Sequence, residues 1–183
     1  QPLRTARTLS GGSRWFVLTA PTALRPVPFV KTVPFTTASD LFAAVKENIE
    51  GADALVMAAA VADYRPAAVA DNKIKKKDGD LSLPLARTDD ILGWLGEHKP
   101  AGLFVCGFSM ETGDLLENSA AKLKKKNLDL IVANNLKTPG AGFGTDTNVV
   151  TMISPAGAEE LPLMDKTEVG DRIADKIAAH FAG

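Results

Sequence analysis

Four lysines lie within five positions near the middle of the chain, at Lys73, Lys75, Lys76 and Lys77. Closely spaced ammonium groups attract anions, and among biological anions we expect a phosphate here. An apolar run over residues 55–60 precedes the cluster, and such a run bounded by turn residues is typical of a buried strand. Ligands of open α/β sheets bind beyond the carboxyl ends of strands. The pattern therefore predicts an anion site after this strand, although lysine clusters are also common on solvated surfaces.

Other residues able to contact a ligand follow the predicted strands in the same way. Asp63 either binds the hydroxyl groups of a ribose or is an ordinary turn aspartate. Phe108 ends the apolar run 103–108 and either stacks on a nucleobase or packs into the core. Lys122 and Lys126 share one helical face, where they either reach a phosphate or face solvent. Their common placement near strand ends favours one shared site.

Several catalytic signatures are absent from the sequence. It contains no G-x-G-x-x-G, no G-x-x-x-x-G-K-[ST], no G-x-S-x-G and no metal-ligand spacing. The two histidines, His98 and His180, lie near predicted helix ends without a partner pattern. The missing glycine motif argues against a pyridine-nucleotide oxidoreductase.

Strands and helices alternate along the chain, and several strands are continuous apolar runs. Strands are predicted at residues 15–19, 29–35, 55–60, 103–108, 129–133 and 149–154. Helices are predicted to start at Thr37 with Asp40, Thr88 with Asp89 and Asp90, Asp114 with Glu117, and Asp165 with Glu168. Each start combines a capping side chain with an acidic residue in the first turn. This alternation is typical of a largely parallel sheet with helices on both faces.

Two segments lack a clear period. Residues 63–88 are charged and irregular, with an edge strand through Leu81, Leu83 and Leu85 as one option, and a segment this long is expected to be a functional flap. Residues 134–148 are rich in glycine and asparagine, so Asn134 either faces a ligand or forms a turn.

Length and composition limit the class of protein. The 183 residues are enough for one domain, expected to span residues 1–183. The net charge of -1 argues against general nucleic-acid binding. Cys106 is the only cysteine, which excludes an intrachain disulfide and fits a reducing compartment. Without a long apolar run or a signal-peptide pattern, we expect no membrane span and a cytoplasmic location.

Five pieces of the sequence together resemble phosphopantothenoylcysteine synthetase, the synthetase half of the bifunctional coenzyme A biosynthesis protein of bacteria. They follow the family's order and are jointly far more specific than any one motif. The pieces are AAAVADYRP (58–66), KIKK (73–76), GFSMET (107–112), KKNLDLIVAN (125–134) and GFGTDTN (142–148).

The resemblance implies a Rossmann-like α/β fold and a homodimer whose contact includes the loop 140–148. It also implies a ligase that works in two steps. First, 4'-phosphopantothenate attacks the α-phosphate of CTP in the presence of Mg²⁺, which gives an acyl-cytidylate and pyrophosphate. The amine of L-cysteine then attacks the activated carbonyl, and CMP leaves.

The resemblance also assigns roles to residues of this chain. Lys73 matches the lysine needed to form the acyl-cytidylate, and small residues match at Ala59 and Ala60, where they leave room beside the nucleotide. The remaining positions implied to hold the nucleotide are Asp63, Asp89, Asp90, Ile91, Leu92, Phe108, Lys122 and Lys126.

The N-terminal segment departs from the family pattern DPVRxISNxSSGKMG. Gly11 stands where the family has an asparagine that serves the cysteine step, and the following helix start is missing. The first strand and helix segment are therefore expected to be incomplete. This departure leaves a second hypothesis open, a non-catalytic module of the same fold that binds a nucleotide or a flavin-containing partner. In bifunctional members, a flavin-dependent decarboxylase domain precedes the synthetase.

Overall fold

The structure is a computed structural model that describes residues 15–75, 79–111, 114–135 and 147–183. Four helices are present in this part of the chain: α1 (Ala38–Asn48), α2 (Ile91–His98), α3 (Leu115–Lys125) and α4 (Lys166–Ala182). The strands are β1 (Phe16–Thr19), β2 (Lys31–Pro34), β3 (Ala54–Met57), β4 (Tyr64–Pro66), β5 (Leu85–Arg87), β6 (Phe104–Glu111), β7 (Leu130–Asn135), β8 (Thr147–Asn148), β9 (Val150–Ser154), β10 (Gly157–Glu160) and β11 (Met164–Asp165).

The central sheet has five strands in the order β10-β9-β7-β6-β3. Strands β3, β6 and β7 run parallel, whereas β9 and β10 form an antiparallel edge. Three smaller pairs accompany it: β1 with β2, β4 with β5, and β8 with β11. Neighbouring strands of this sheet are not all consecutive in the chain, so crossover connections join them. This topology confirms the expected Rossmann-like α/β fold.

Alternating side chains of β6 and β7 divide the core into two layers, because successive residues of a strand point to opposite faces. Val105 and Ile131 belong to a cluster with the apolar residues of α1, α2 and α3. Cys106 and Val132 belong to a second cluster, which contains the apolar stripe of α4. Helices therefore cover both faces of the sheet, as predicted.

Two of the four predicted helix starts are confirmed. Thr37 and Asp40 form a reciprocal capping box before α1, and Asp165 and Glu168 form another before α4. Such a box satisfies backbone N–H groups that have no partner within the helix.

The predicted start of α2 is wrong, and that of α3 is right in position but not in its capping bond. Asp90, not Thr88, caps α2, because its carboxylate accepts the N–H of Gly93 at 2.9 Å. Asp114 precedes α3 in the left-handed region, with φ at 45°, and its side chain makes no capping hydrogen bond. In that backbone conformation the side chain is not placed to cap the first turn as an extended N-cap residue is.

Strand ends also differ from the prediction. β3 stops at Met57, and the chain leaves the sheet three residues before the apolar run ends. β6 continues to Glu111, because β7 pairs with it along the whole extension. Phe108 therefore lies inside a strand rather than at its end. The pairing of β3 with β6 nevertheless ends at Met57 opposite Gly107, so Phe108 is the first residue of β6 beyond that pairing.

Residues 63–88 are more regular than expected at their two ends. β4 and β5 pair antiparallel, with Tyr64 opposite Arg87 and Pro66 opposite Leu85, and we call this pair the β4–β5 ribbon. Backbone hydrogen bonds from Thr88 to Asp63 and from Ala67 to Pro84 extend the pairing by one step each way. The option of an edge strand through Leu81 and Leu83 is wrong, since the strand begins only at Leu85.

Some sequence predictions fall outside the described residues. These are the N-terminal matches up to Gly11, the lysines Lys76 and Lys77, and residues 136–146 of the predicted loop 134–148. Within the described part of the chain, no helix is both long enough and apolar enough to cross a membrane.

Candidate functional site

A cavity of about 350 Å³ opens at the carboxyl end of β3. Four parts of the chain line it: the segment after β3, the base of the β4–β5 ribbon, the start of α2 and the end of α3. The lining residues are Met57, Ala59, Val61, Ala62, Asp63, Tyr64, Arg87, Thr88, Asp89, Asp90, Ile91, Leu92 and Lys126.

Small residues after β3 keep the cavity open. Met57 is buried at the strand end, and the chain then continues through Ala59 and Ala62, both of which line the cavity. Methyl side chains leave the space that larger groups would fill. Ala60 is exposed and lies beside this wall without lining it.

The start of α2 supplies a carboxylate of the cavity that accepts two hydrogen bonds. Asp90 accepts a hydrogen bond from the N–H of Gly93 at 2.9 Å and another from the Lys126 Nζ at 3.0 Å. Partial burial raises the pKa of this carboxyl, but the bonds from Gly93 and Lys126 outweigh burial and hold the pKa below its ordinary value. Asp90 is therefore an ionised carboxylate at neutral pH, and its charge already interacts with Gly93 and Lys126.

A close approach of two elements positions Lys126. A Cβ atom on Gly96 of α2 would lie 2.4 Å from the carbonyl oxygen of Lys126, so only glycine allows this packing. The side-chain amide of Asn127 donates to the Gly96 carbonyl oxygen at 3.3 Å. The end of α3 is thus held against α2, with Lys126 facing the cavity.

Nearer its middle, α3 is fixed to the sheet by a buried pair of hydroxyl groups. The Ser109 Oγ of β6 and the Ser119 Oγ of α3 lie 2.8 Å apart, and both side chains are buried. Because buried hydroxyls need partners, this bond sets the position of the helix along β6. The same bond therefore also fixes the backbone positions from which Lys122 and Lys126 extend.

The base of the β4–β5 ribbon forms the outer wall. The N–H of Thr88 donates to the carbonyl oxygen of Asp63 at 2.9 Å, which ties the two chain segments together where they enter the ribbon. Asp63, Tyr64, Arg87 and Thr88 all line the cavity from this base.

The cavity brings together seven of the positions that the resemblance assigns to a nucleotide. These are Ala59, Asp63, Asp89, Asp90, Ile91, Leu92 and Lys126. Arg87, Tyr64 and Thr88 also line the cavity, which the sequence did not predict. For Arg87 and Tyr64 the signal lies in the pairing of residues 85–87 with 64–66, which places both side chains on one face of the ribbon.

Four other assigned residues do not line this cavity. Ala60 has been described, and Lys73 is exposed on the loop beyond the ribbon. Lys122 is exposed on α3, one turn before Lys126. Phe108 is partly buried and packs against the cluster on the α4 face of the sheet. Contact of these side chains with a ligand stays a prediction.

The carboxylates of the cavity are not arranged as a metal site. Within the residues that the structure describes, no group of three or more histidine, cysteine, aspartate or glutamate side chains could hold a metal ion. Mg²⁺ prefers one or two carboxylates together with substrate phosphates and water. A site of that type needs a bound phosphate as well as the carboxylates of the cavity wall, Asp63, Asp89 and Asp90.

Comparison with known proteins gives a consistent result. The family model of the DNA/pantothenate metabolism flavoprotein C-terminal domain matches residues 5–181. The coenzyme A biosynthesis bifunctional protein CoaBC of Bacillus subtilis (strain 168) is 44% identical over 170 residues, which are 92% of this chain and 42% of that protein. A cysteine/cysteine sulfinic acid decarboxylase from an unknown prokaryotic organism is 38% identical over 168 residues, which are 91% of this chain and 47% of that protein.

A solved structure shares the fold. The crystal structure of the C-terminal domain of a coenzyme A biosynthesis bifunctional protein CoaBC is 39% identical, with a TM-score of 0.75, and the match covers 92% of this chain and 77% of that chain. The chain spans less than half the length of the two curated relatives.

Proposed function

This chain belongs to the family of DNA/pantothenate metabolism flavoprotein C-terminal domains, and from that premise we propose that it is a phosphopantothenate–cysteine ligase of coenzyme A biosynthesis. Its substrates would be 4'-phosphopantothenate, L-cysteine and CTP, and an acyl-cytidylate would be the intermediate. The single observation that carries the proposal is the cavity in which Ala59, Asp63, Asp90 and Lys126 meet. Each of them occupies a position that the resemblance assigns to the nucleotide.

In this proposal the cavity holds the nucleotide beyond the carboxyl end of β3. Asp63 accepts hydrogen bonds from ribose hydroxyls, and Ala59 leaves room beside the sugar. The backbone N–H groups at the start of α2 face the phosphates, because unpaired N–H groups at a helix N-terminus attract anions.

The first chemical step transfers the cytidylyl group. A carboxylate oxygen of phosphopantothenate forms a bond to the α-phosphorus, the bond from that phosphorus to the bridging oxygen breaks, and pyrophosphate leaves. Negative charge builds up on the phosphate oxygens during this exchange. Preorganised ammonium groups stabilise such charge, and we assign this role to Lys73, with Lys122 and Lys126 binding phosphate.

The second step forms the amide. The amine of L-cysteine attacks the activated carbonyl carbon, the bond from that carbon to the phosphate oxygen breaks, and CMP leaves while the amine loses a proton. Magnesium would enter with the triphosphate and neutralise part of its charge.

Replacing Lys73 tests the first step. We expect Lys73→Gln to slow pyrophosphate release from phosphopantothenate and CTP by about 10²–10³-fold, the usual loss for one preorganised charge-stabilising group. Lys176→Gln is the matched control, because Lys176 of α4 pairs with Glu159 of β10 and α4 covers the other face of the sheet. Unchanged pyrophosphate release in Lys73→Gln would remove this residue from the mechanism.

A non-catalytic nucleotide-binding module remains the second candidate, because Gly11 replaces the asparagine that serves the cysteine step in the family. Mass-spectrometric detection of phosphopantothenoyl-cysteine from the protein, CTP and both substrates would eliminate this candidate. The same assay with ATP in place of CTP tests the proposed nucleotide preference.

We further propose a homodimer in a cytoplasmic setting. The unpaired, buried Cys106 supports a reducing compartment. The B. subtilis relative is a bifunctional protein and a second relative is a decarboxylase, which together support a decarboxylase domain in the full-length protein. Sedimentation velocity across a concentration series measures the oligomeric state.

A further inference from the structure

Arg87 stands on the cavity side of the β4–β5 ribbon. It lies opposite Tyr64 in the ladder, and residues directly opposite each other project to the same face. Both of them line the cavity. Their neighbours Arg65 and Ala86 form the next pair and must project to the other face, because successive residues alternate. The ribbon therefore aims one arginine at the cavity and the other away from it.

The two cations of the cavity differ in how they are paired. Two cationic residues, Arg87 and Lys126, line the cavity. Lys126 is paired with Asp90 at 3.0 Å. Arg87 forms no hydrogen bond or ion pair with any side chain of the described residues, although the carboxylates Asp63 and Asp89 belong to the same wall. A guanidinium carries five donors and stays charged at every relevant pH, so Arg87 offers the cavity an unused set of donors.

The backbone beneath Arg87 is fixed. The pairing with Tyr64 on one side and the hydrogen bond from Thr88 to Asp63 on the other hold this end of β5 to the cavity wall. An arginine on a fixed strand loses less conformational freedom on binding a ligand than one on an irregular loop. Lys73, by contrast, lies on the exposed loop beyond the ribbon.

We propose that Arg87 is a further anion-binding residue of the site and contacts the polyphosphate of the substrate that occupies this cavity. A guanidinium matches two oxygens of a phosphate at once, and the cavity has no other cation that is free of a carboxylate within the described residues. The inference deepens the proposed function and rests on it for the identity of the nucleotide, but not for the binding of an anion.

Binding measurements test this without requiring turnover. Titration calorimetry with inorganic tripolyphosphate, and separately with CTP, would compare the wild type with Arg87→Gln, Arg87→Lys and Arg65→Gln. We expect Arg87→Gln to weaken tripolyphosphate binding by about 10- to 100-fold, the loss of one charge-assisted contact. Arg87→Lys keeps the charge but not the paired donors and should fall between Arg87→Gln and the wild type. Arg65→Gln removes the same charge from the same ribbon and should bind as the wild type does.

The outcomes separate this inference from the proposed ligase. Equal weakening by Arg87→Gln and Arg65→Gln would show that only the total charge matters and would overturn the inference. Unchanged binding in Arg87→Gln would overturn it too, and so would a wild type that does not bind tripolyphosphate. Wild-type binding of tripolyphosphate without a preference for CTP would instead contradict the nucleotide assignment, while a selective loss in Arg87→Gln would still support the role of Arg87. Circular dichroism of all variants establishes that each is folded.

Discussion

Asp90 combines two stabilising contacts in a single side chain. It caps α2 through the N–H of Gly93 and pairs with Lys126 of the neighbouring helix. Two variants distinguish the capping bond from the ion pair, because asparagine caps a helix about as well as aspartate does but carries no charge. Asp90→Ala should lower the free energy of unfolding by about 1–2 kcal/mol through loss of the cap, and Asp90→Asn should lower it by less. Urea denaturation measures both, and equal losses would show that the charge, not the cap, is what matters.

The ion pair of Asp90 also predicts a pH dependence. Its pKa is lowered in the folded protein, so the unfolded chain takes up a proton first as the pH falls. The stabilisation is then fully present above the ordinary pKa of aspartate, about 4, and is lost as the pH drops through the folded value. The difference in unfolding free energy between wild type and Asp90→Asn should shrink over that range. A difference that grows with acidity would contradict this assignment.

Cys106 gives a prediction about reactivity. Burial, followed by the charge of Asp129, raises the pKa of this thiol to about 12, and the side chain is inaccessible in β6. Because the thiolate is the reactive form, a disulfide reagent at pH 8 should not modify the native protein and should modify it quickly in denaturant. Rapid labelling of the native protein would place this strand at the surface.

At the scale of elements, the hydroxyl pair between Ser109 and Ser119 sets the position of α3 against β6. Ser119→Ala would leave the Ser109 hydroxyl buried without a partner, and we expect a loss of about 1–3 kcal/mol. The double variant Ser109→Ala/Ser119→Ala removes both polar groups and should recover most of that loss. Thermal or urea unfolding of the single and double variants checks this. A double variant less stable than either single variant would mean that shape rather than hydrogen bonding holds the helix.

The sequence predicted the elements better than their ends. Apolar runs identified β3, β6, β7 and β9, since burial on two faces leaves a strand few polar residues. The run 55–60 nevertheless gave no sign that β3 ends at Met57, because alanines suit a strand and a cavity wall equally. The end of β6 at Glu111 depends on its pairing with β7, which is a tertiary contact that a single sequence does not display.

The motifs predicted part of the candidate site. Asp63 and Lys126 were assigned by resemblance, and both line the cavity. Arg87 was missed because its significance depends on the partner strand, and the two halves of the ribbon are separated by a long irregular segment. A hydroxyl residue before acidic ones fits the role of a helix cap, which is why the sequence predicts Thr88. Asp90 caps α2 instead, because it stands one position before the first helical residue.

At the scale of the whole molecule, the core layer beneath α1, α2 and α3 supports the site. Leu95 of α2 is completely buried in this layer, while the first residues of the same helix line the cavity. Leu95→Ala should lower the free energy of unfolding by about 2–5 kcal/mol through lost burial and the void it leaves. Leu163→Ala is the matched control, because Leu163 is 54% exposed, and its effect should stay within about 0.5 kcal/mol. Chemical denaturation of both variants makes the comparison, and similar losses would contradict the layered core.

The link between Asp90 and Lys126 has a consequence for ligand selection. An anion that recruits Lys126 must compete with a carboxylate that already holds it at 3.0 Å. A singly charged newcomer gains little from such an exchange of partners, since it offers no more charge than Asp90 does. A polyphosphate brings several charges and offers more to the same ammonium group. In the competition for Lys126, the existing pair therefore favours a polyphosphate over a singly charged anion.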